Sequence, residues 1–548
     1  MSQLAKALSV ALLAGVAGHA AAADTVVDRA LTAIRNNPVA TRLSTSDTFT
    51  TAGITVDKNG TEHVRFKRTY RAVPVIGGDI VVHSRAGVFK SASLTQAKAL
   101  TLSTTPTLTS AQAIAKAGAQ FGTKFDAAPT SRLVIYARPA TPRLAYDVLY
   151  VGAKTDGTPT RMHYYVDAAT GAILDKEDAI HTGTLPGTGY PTGNTPPPPD
   201  TTPAIGSGRS LMGGTVPLNT LWNNTRRVYE LKDSTRGNTY VTDMGNGYRG
   251  TGTLVVDTDN KWGNGTQQDR ASAAVDAAYG FAKTWDFYKS KFNRAGIAGD
   301  GKGSFGAVHY SLRYNNAFWN NDCFCMSFGD GDGVNLKPLV AIDIMGHEVS
   351  HGVTHASADL IYSKESGGLN EATSDILGTM VEFFANNANQ PPNYFIGDTI
   401  FVQQGPGGWI RSMFKPSMDG ISDDCYPDGS NPSYLNFFSN AKDPHYTSGV
   451  ANHFFYLLAE GAVVPTGPLV PADLGPSDLV CNGNVGLAGI GREAAVQIWY
   501  RALTVYMVST TNYAGARAAT MSAAADLYGA SSSQQNAVAA AWDAVGVH

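Results

Sequence analysis

His347-Glu348-Val349-Ser350-His351, followed 20 residues after its second histidine by Glu371 within Gly367-Gly368-Leu369-Asn370-Glu371-Ala372-Thr373-Ser374-Asp375, decides the reading of this chain. Two imidazoles four residues apart on a helix lie one turn apart on the same face. Their nitrogens therefore converge on one zinc ion, while Glu348 is turned off that axis toward whatever the ion holds. A catalytic zinc takes three protein ligands and keeps one open position. A second helix beginning near Glu371 supplies the third ligand as a carboxylate, which leaves water in the fourth place for Glu348 to deprotonate. Asp375, one turn after Glu371, is placed to accept the spare N–H of one ligand histidine, fixing its tautomer and raising its basicity, and Asn370 serves the other. His355, one turn past His351, would sit about 6 Å farther along the axis and reads as structural. The metzincin spacing fails, because Ser357 stands where its third histidine belongs.

Beyond these helices the likeness extends to other segments. The stretch from His347 to Glu382 resembles the thermolysin family of zinc endopeptidases, and within it the secreted bacterial pseudolysin and vibriolysin-like branch. Asn315-Asn316-Ala317-Phe318-Trp319 resembles the edge strand on which that family lays its peptide. Ile410-Arg411-Ser412-Met413 resembles the segment whose arginine grips a substrate carbonyl, and Asp443-Pro444-His445-Tyr446-Thr447-Ser448-Gly449 the one whose histidine steadies the transition state. The resemblance implies peptide hydrolysis, with Glu348 as general base and Tyr362 and His445 as donors to the oxyanion. Each such preorganised donor is worth roughly 3 kcal/mol. Asp443, two residues before His445, is placed to keep it protonated and oriented. Arg411, Asn316 and Ala317 would bind the substrate backbone in the manner of an added strand, leaving specificity to an apolar pocket. The family implies large hydrophobic residues after the cut, with Ile344 and Ile410 on the pocket wall.

A second metal is suggested by Asp343, Glu382, Asn393 and Asp398, with the Phe395 carbonyl adding an oxygen, since calcium favours six to eight oxygens and such a cluster otherwise repels itself. Thr379 stands where the pseudolysin-like branch has a calcium-binding glutamate, and Asn393 and Phe395 replace acidic residues of the thermolysin double site. The set therefore implies one structural calcium rather than two. Gly329-Asp330-Gly331-Asp332-Gly333 lacks the spacing and terminal glutamate of an EF-hand and reads as a turn.

At 548 residues with 43% apolar content the chain holds several domains. A net charge of -3 provides no basic field for nucleic acid and no polybasic membrane patch. Lys6 precedes an apolar run over 7–17, and small residues over 18–23 offer Ala-x-Ala cleavage sites, so 1–23 reads as a secretory signal peptide. Cys323, Cys325, Cys425 and Cys481 would then meet an oxidising compartment, where two disulfides form in one of three pairings.

All seven tryptophans lie from Trp222 onward. Residues 183–208, rich in Gly, Pro and Thr and including Pro196-Pro197-Pro198-Pro199, read as a semi-rigid, cleavable linker. Ahead of it, 24–182 alternates strand-like runs with turns, such as Tyr164-Tyr165-Val166-Asp167 turning through Gly171, and is expected as a small α+β unit. It resembles the propeptide that assists folding of such enzymes and inhibits them until self-cleavage. After the linker, strands precede helices, an α+β pattern of two lobes over 209–355 and 356–548 with the zinc helix at their junction. Helices are expected over 271–292, 371–386, 449–460, 491–508 and 514–529.

The expected protein is a secreted zinc endopeptidase made as a zymogen, a monomer when mature, with peptide and protein substrates and its own propeptide as inhibitor. Nucleic acid and membrane are not expected partners. Two alternatives stand beside it: a gluzincin aminopeptidase, whose amine-binding motif is missing, and a catalytically silent secreted binding protein, which would normally have lost Glu348, a ligand or His445.

Overall fold

The β-branched and aromatic runs that precede the Pro-rich stretch pair into a single nine-stranded sheet between Asp47 and Asp178. The structure is a computed structural model that describes residues 26–548 apart from 123–124, 154–158, 182–199, 404, 406, 429–436 and 439–441. The expected leader over 1–23 and the linker up to 199 lie outside the described residues. At the tip of the last long hairpin the Asp167 carboxylate accepts from the amides of Ala169 and Thr170, and Gly171 takes the left-handed conformation that closes the turn. Helix 26–36 lays Val26, Ala30 and Ile34 against Val64, Phe66 and Ile80 of this sheet. A second helix, Ser110–Phe121, opens with a reciprocal capping box between Thr109 and Gln112 and buries Ala113 and Ala117 against Tyr146 and Tyr164.

The second unit begins earlier than the linker reading allowed. Thr201–Arg209 is a strand, paired residue for residue with Thr215–Asn223, so the last eight residues of the expected 183–208 linker belong to a five-stranded sheet. Their small and β-branched side chains pleat as readily as they link, and only the partner strand decides between the two. A seven-stranded mixed sheet follows, with Ala317–Asn320 hydrogen-bonded to Cys325–Phe328. The long helix Arg270–Phe292 packs across both lobes, burying Ala274, Val275 and Phe281.

From there the chain is mostly helical, as expected, with shifted bounds. The motif helix runs Ile342–His355. The helix that carries Glu371 runs Lys364–Ala385 and so starts seven residues before the expected position. Gly449–Glu460 forms as expected; Arg492–Arg501 is followed by a wider helical turn, Ala502–Tyr506, and Tyr513–Tyr528 by a further helix, Ser533–Ala544, that the sequence reading lacked. The cysteines pair as Cys323–Cys325 and Cys425–Cys481. No helix among the described residues is long and apolar enough to cross a membrane.

The motif helix and the Lys364–Ala385 helix cross almost backbone to backbone. A Cβ on Gly346 would come within 2.8 Å of the Gly378 Cα, and one on Gly378 within 2.6 Å of the Asp343 carbonyl oxygen. Only glycine permits that approach, and it brings Glu371 within reach of both histidines and Asp375 within reach of His347.

The N-terminal unit is clasped to the helical lobe. Arg65 donates to the Met507 carbonyl at 2.8 Å, and Asp79 accepts from the Ser509 amide and hydroxyl at 2.9 and 2.8 Å. Arg501 binds both oxygens of Asp57 at 2.9 and 2.6 Å. Beside them His63 and His83 share a 2.7 Å contact between their Nδ1 atoms, with the Tyr506 ring stacked on His83. The unit ends in Ile180–His181, which adds as an antiparallel strand to Ala317–Asn320, Ile180 opposite Asn320 and His181 opposite Trp319. Ile180 buries itself among Tyr310 and Phe318.

Burial pushes the His83 pKa down to about 3, and the positive charges of His63, Arg65 and Arg501 add to it against the opposing pull of Asp57. A base depressed below its usual 6.5 contributes stability when neutral; that contribution is full above about 6.5 and is lost as pH falls toward 3, by up to about 1.4 kcal/mol per unit. The thermal unfolding midpoint of the full chain is expected to fall on acidification below about pH 6.5. A His83→Gln variant should show a shallower fall in the same melts.

Candidate metal centre and active-site cleft

His347 and His351 project from one face of the motif helix, and their Nε2 atoms stand 3.1 Å apart. The Glu371 carboxylate reaches them from the neighbouring helix, Oε2 at 3.4 Å from His347 Nε2 and Oε1 at 3.4 Å from His351 Nε2. Ligand atoms around a tetrahedral ion with bonds of about 2.0–2.1 Å lie about 3.3 Å apart. The tautomers follow from the outer partners: His347 Nδ1 faces Asp375 Oδ1 at 2.8 Å, and His351 Nδ1 faces Asn370 Oδ1 at 2.8 Å. Both acceptors require Nδ1–H, so both Nε2 lone pairs point at each other and at a carboxylate, in a pocket where Glu371 is fully buried. Protons cannot satisfy three such acceptors, whereas one divalent cation does.

Asp375 is the hub of the support. Arg411 donates to its Oδ1 and Oδ2 through Nη2 and Nε at 2.7 and 2.8 Å, and Asn452 Nδ2 donates to Oδ2 at 2.8 Å. Burial alone would push this carboxyl up; the Arg411 charge and the His347 bond outweigh it and hold Asp375 below the usual carboxylate range. Asn370 is anchored in turn by donating to the Leu360 carbonyl at 2.8 Å.

Glu348 lies beside the ligand set, 3% exposed, with Oε2 unbonded. Burial, then the Glu371 charge, push its pKa well above the carboxylate range, opposed by Arg411 and by the Trp319 backbone N–H. A carboxylate so placed is a strong proton acceptor. Tyr362 donates to Glu371 Oε1 and comes within 3.5 Å of His445 Nε2, which is itself 3.4 Å from Glu371 Oε2. His445 Nδ1 meets Asp443 Oδ1 at 2.5 Å. Burial pushes the His445 pKa down, but Glu371 and Asp443 outweigh it and the net shift is upward, toward the protonated donor. The cleft above these groups, of about 440 Å³, is lined on one wall by Asn316 and Ala317 and on another by Leu336, Ile344, Ile396 and Ile410.

Residues 205–355 match the family model of the thermolysin metallopeptidase catalytic domain, and 358–547 that of its alpha-helical domain. The chain belongs to the thermolysin family. Two further matches, to the fungalysin/thermolysin propeptide motif over 47–95 and to a peptidase propeptide and YPEB domain over 107–177, fall on the N-terminal sheet. A transglutaminase-activating metalloprotease from Streptomyces mobaraensis is 42% identical over 501 residues, covering 90% of this chain and 60% of that protein. A thermolysin from Alicyclobacillus acidocaldarius is 36% identical over 510 residues, covering 90% of this chain and 85% of the relative. The precursor of protealysin, a metalloproteinase from Serratia proteamaculans, superposes over 57% of this chain and 87% of its own with a TM-score of 0.44 and 27% identity. As a thermolysin-family member the chain is a metalloprotease with a propeptide, and the catalytic metal of the family is the zinc that His347, His351 and Glu371 fit. The aminopeptidase and silent-protein alternatives are not favoured.

The structure brings together every residue expected at the zinc centre, and places His355 elsewhere, against Asp359 at 2.8 Å. Arg411, expected to hold a substrate carbonyl, spends Nε and Nη2 on Asp375 while still lining the cleft. Asn452 and the Trp319 amide were missed. The first had a signal, a polar side chain inside the apolar run of 449–460; the second, a main-chain group, had none.

At the expected calcium position Asp343, Glu382 and Asp398 place carboxylate oxygens within 4.8 Å of one another. Asn393 sits between two of them, its amide on Glu382 Oε2 at 3.2 Å and its Nδ2 on Asp398 Oδ2 at 3.0 Å, and the Phe395 amide donates to Asn393 Oδ1 at 2.6 Å. Thr379 instead donates its hydroxyl to the Met413 sulfur at 3.2 Å. Burial and then the Asp398 charge raise Asp343 to about 7, and burial with the Asp343 and Asp398 charges pushes Glu382 well above the carboxylate range. One oxygen of Glu382, Oε1, is buried without a hydrogen bond. Such a cluster is relieved by a hard dication. Adding calcium to chelator-stripped protein is expected to raise its thermal midpoint, and Glu382→Gln to remove most of that increase, as read by calorimetry at fixed pH.

Proposed function

We propose that this protein is a secreted zinc-dependent endopeptidase made as a zymogen, with His347, His351 and Glu371 as the zinc ligands and Glu348 as the general base. The observation that carries the reading is the convergence of two Nε2 lone pairs and the Glu371 carboxylate on one point at the cleft floor, with the Glu348 carboxylate beside it. Held by His347, His351 and Glu371, a zinc ion would supply Lewis acidity, lowering the pKa of a bound water toward about 7 and polarising the scissile carbonyl. Glu348, its basicity raised by burial, accepts the proton of the attacking water and hands it to the departing amine. His445, its ring held through Nδ1 by Asp443, presents Nε2–H to the developing oxyanion, and Tyr362 adds its O–H by turning it there from Glu371 Oε1.

Peptide backbone is gripped at Asn316 and Ala317 on the strand edge and by Arg411. Ile344 and Ile410, with Leu336 and Ile396, form the apolar wall that receives a large hydrophobic side chain on the amine side of the cut. Asp343, Glu382, Asn393, Phe395 and Asp398 make up the calcium site. The unit before the linker acts as inhibitor: Ile180–His181 already occupies the edge that a substrate strand would take, running in the direction of Ala317. Its removal after export would yield the active, monomeric, extracellular enzyme.

Expression of the full chain beside its Glu348→Gln variant in a protease-free host tests this. The wild type should release a mature fragment whose N-terminus lies between the two units, while the variant stays whole and yet binds one zinc. Equal processing of both overturns self-cleavage, and an inert, zinc-loaded wild type overturns the peptidase. On peptide libraries the mature form should cut before Leu or Phe at least about tenfold faster than before Asp, the scale of one apolar pocket.

A further inference from the structure

Asn452 sits fully inside the Gly449–Glu460 helix core, 1% exposed, among Val450, Ala451, Phe454 and Phe455. Its Nδ2 makes one hydrogen bond, 2.8 Å to Asp375 Oδ2, and its Oδ1 is buried with none. For packing alone a leucine, of the same branched shape and without polar atoms, would serve better, because a buried amide oxygen left unpaired costs about 1–3 kcal/mol. What Asn452 gives in return lies at Asp375. That carboxylate receives four bonds: His347 Nδ1 and Arg411 Nη2 on Oδ1, Arg411 Nε and Asn452 Nδ2 on Oδ2.

The two clamps differ in kind. Arg411 approaches from the cleft, which it also lines, so a peptide carbonyl entering there competes for the same guanidinium. Asn452 approaches from the closed side, on a packed helix, and no ligand reaches it. We propose that Asn452 is a positioning residue for the metal centre: it anchors Asp375 from the rear, keeping the carboxylate aimed at His347 Nδ1, and so sets how tightly the histidine holds zinc, most of all when Arg411 turns toward substrate. This inference rests on the zinc reading above.

The test uses the full chain carrying Glu348→Gln, which prevents self-cleavage, and compares it with the same chain bearing Asn452→Leu or Asn452→Ala. Zinc dissociation constants are measured by chelator competition, and unfolding midpoints are taken on the metal-free forms; the alanine variant serves if leucine does not fold. Loss of a group bonded directly to a metal ligand weakens binding by about 10–100-fold, and Asn452, one hydrogen bond farther out behind Asp375, is expected at the lower end, about tenfold. That weakening is expected here, with the metal-free midpoint of Asn452→Leu at or above the parent's, since an unpaired polar atom has been removed. An unchanged zinc constant, or a weakened one matched by a lowered metal-free midpoint in both variants, overturns the role. If the Glu348→Gln parent itself binds zinc no better than its His347→Ala derivative, the zinc assignment falls and takes this inference with it; tight binding by the parent and by Asn452→Leu alike sinks the inference alone.

Discussion

The near-contact of two helix backbones at Gly346 and Gly378 is the constraint from which the rest of the site follows. Helices normally pack with axes 8–10 Å apart because side chains intervene. Here a methyl group on Gly346 would meet the Gly378 Cα at 2.8 Å, so one added carbon would push the helices apart. Overpacking of that kind costs about 1–3 kcal/mol, and the shift it would force matters more than the energy. Zinc ligand bonds tolerate about 0.2 Å, and the Glu371 oxygens stand 3.4 Å from imidazoles on the other helix. Two glycines thus set the distance on which coordination depends.

The same crossing organises a second cation site. Asp343 lies one helical turn before His347, and Glu382 lies on the same helix as Glu371 and Asp375. The helix pair therefore carries a histidine-rich cluster on one side of the crossing and an oxygen cluster on the other. Each buries like charges or lone pairs that folding alone cannot compensate: Asp343 and Glu382 are pushed toward protonation, and Glu348 feels the Glu371 charge. Desolvating one carboxylate costs several kcal/mol. A fold that gathers so many is assembled around cations, and the softer nitrogen set and the harder oxygen set separate zinc from calcium by ligand chemistry.

What could be read from the sequence was what is local. The spacing of His347, Glu348 and His351 needs only one helix, and Asp375 and Asn370 need only the next, so their roles were legible before any tertiary contact. The start of the Lys364–Ala385 helix was not, because Gly367 and Gly368 are poor helix formers and the first residue, Lys364, carries a positive φ. Gly368 is tolerated because it packs against Thr447 and the Tyr513 hydroxyl, a contact 79 residues or more away in the chain. The strand Thr201–Arg209 and the pairing of Ile180–His181 with Ala317–Asn320 were hidden for the same reason: a strand is defined by its partner. Disulfide pairing likewise needs coordinates.

That last pairing bears on how one strand edge serves both inhibition and turnover. Main-chain hydrogen bonding reads no side chain, so the edge at Ala317–Asn320 that holds Ile180–His181 would, on the proposed function, accept a substrate strand on equal terms. The difference must come from what holds each in place. On the proposed function a substrate would bring its own hydrophobic side chain to the pocket of Ile344 and Ile410, whereas the N-terminal unit is retained at a distance, by Arg65 on Met507, Asp79 on Ser509 and Arg501 on Asp57. Tethering two weak contacts multiplies their strength through effective concentration, so cutting the chain between the units weakens the edge contact without altering any bond within it. Inhibition released by a single scission then needs no conformational change in the catalytic lobe, only the loss of the covalent link between the N-terminal unit and that lobe, after which clasp and strand can leave together.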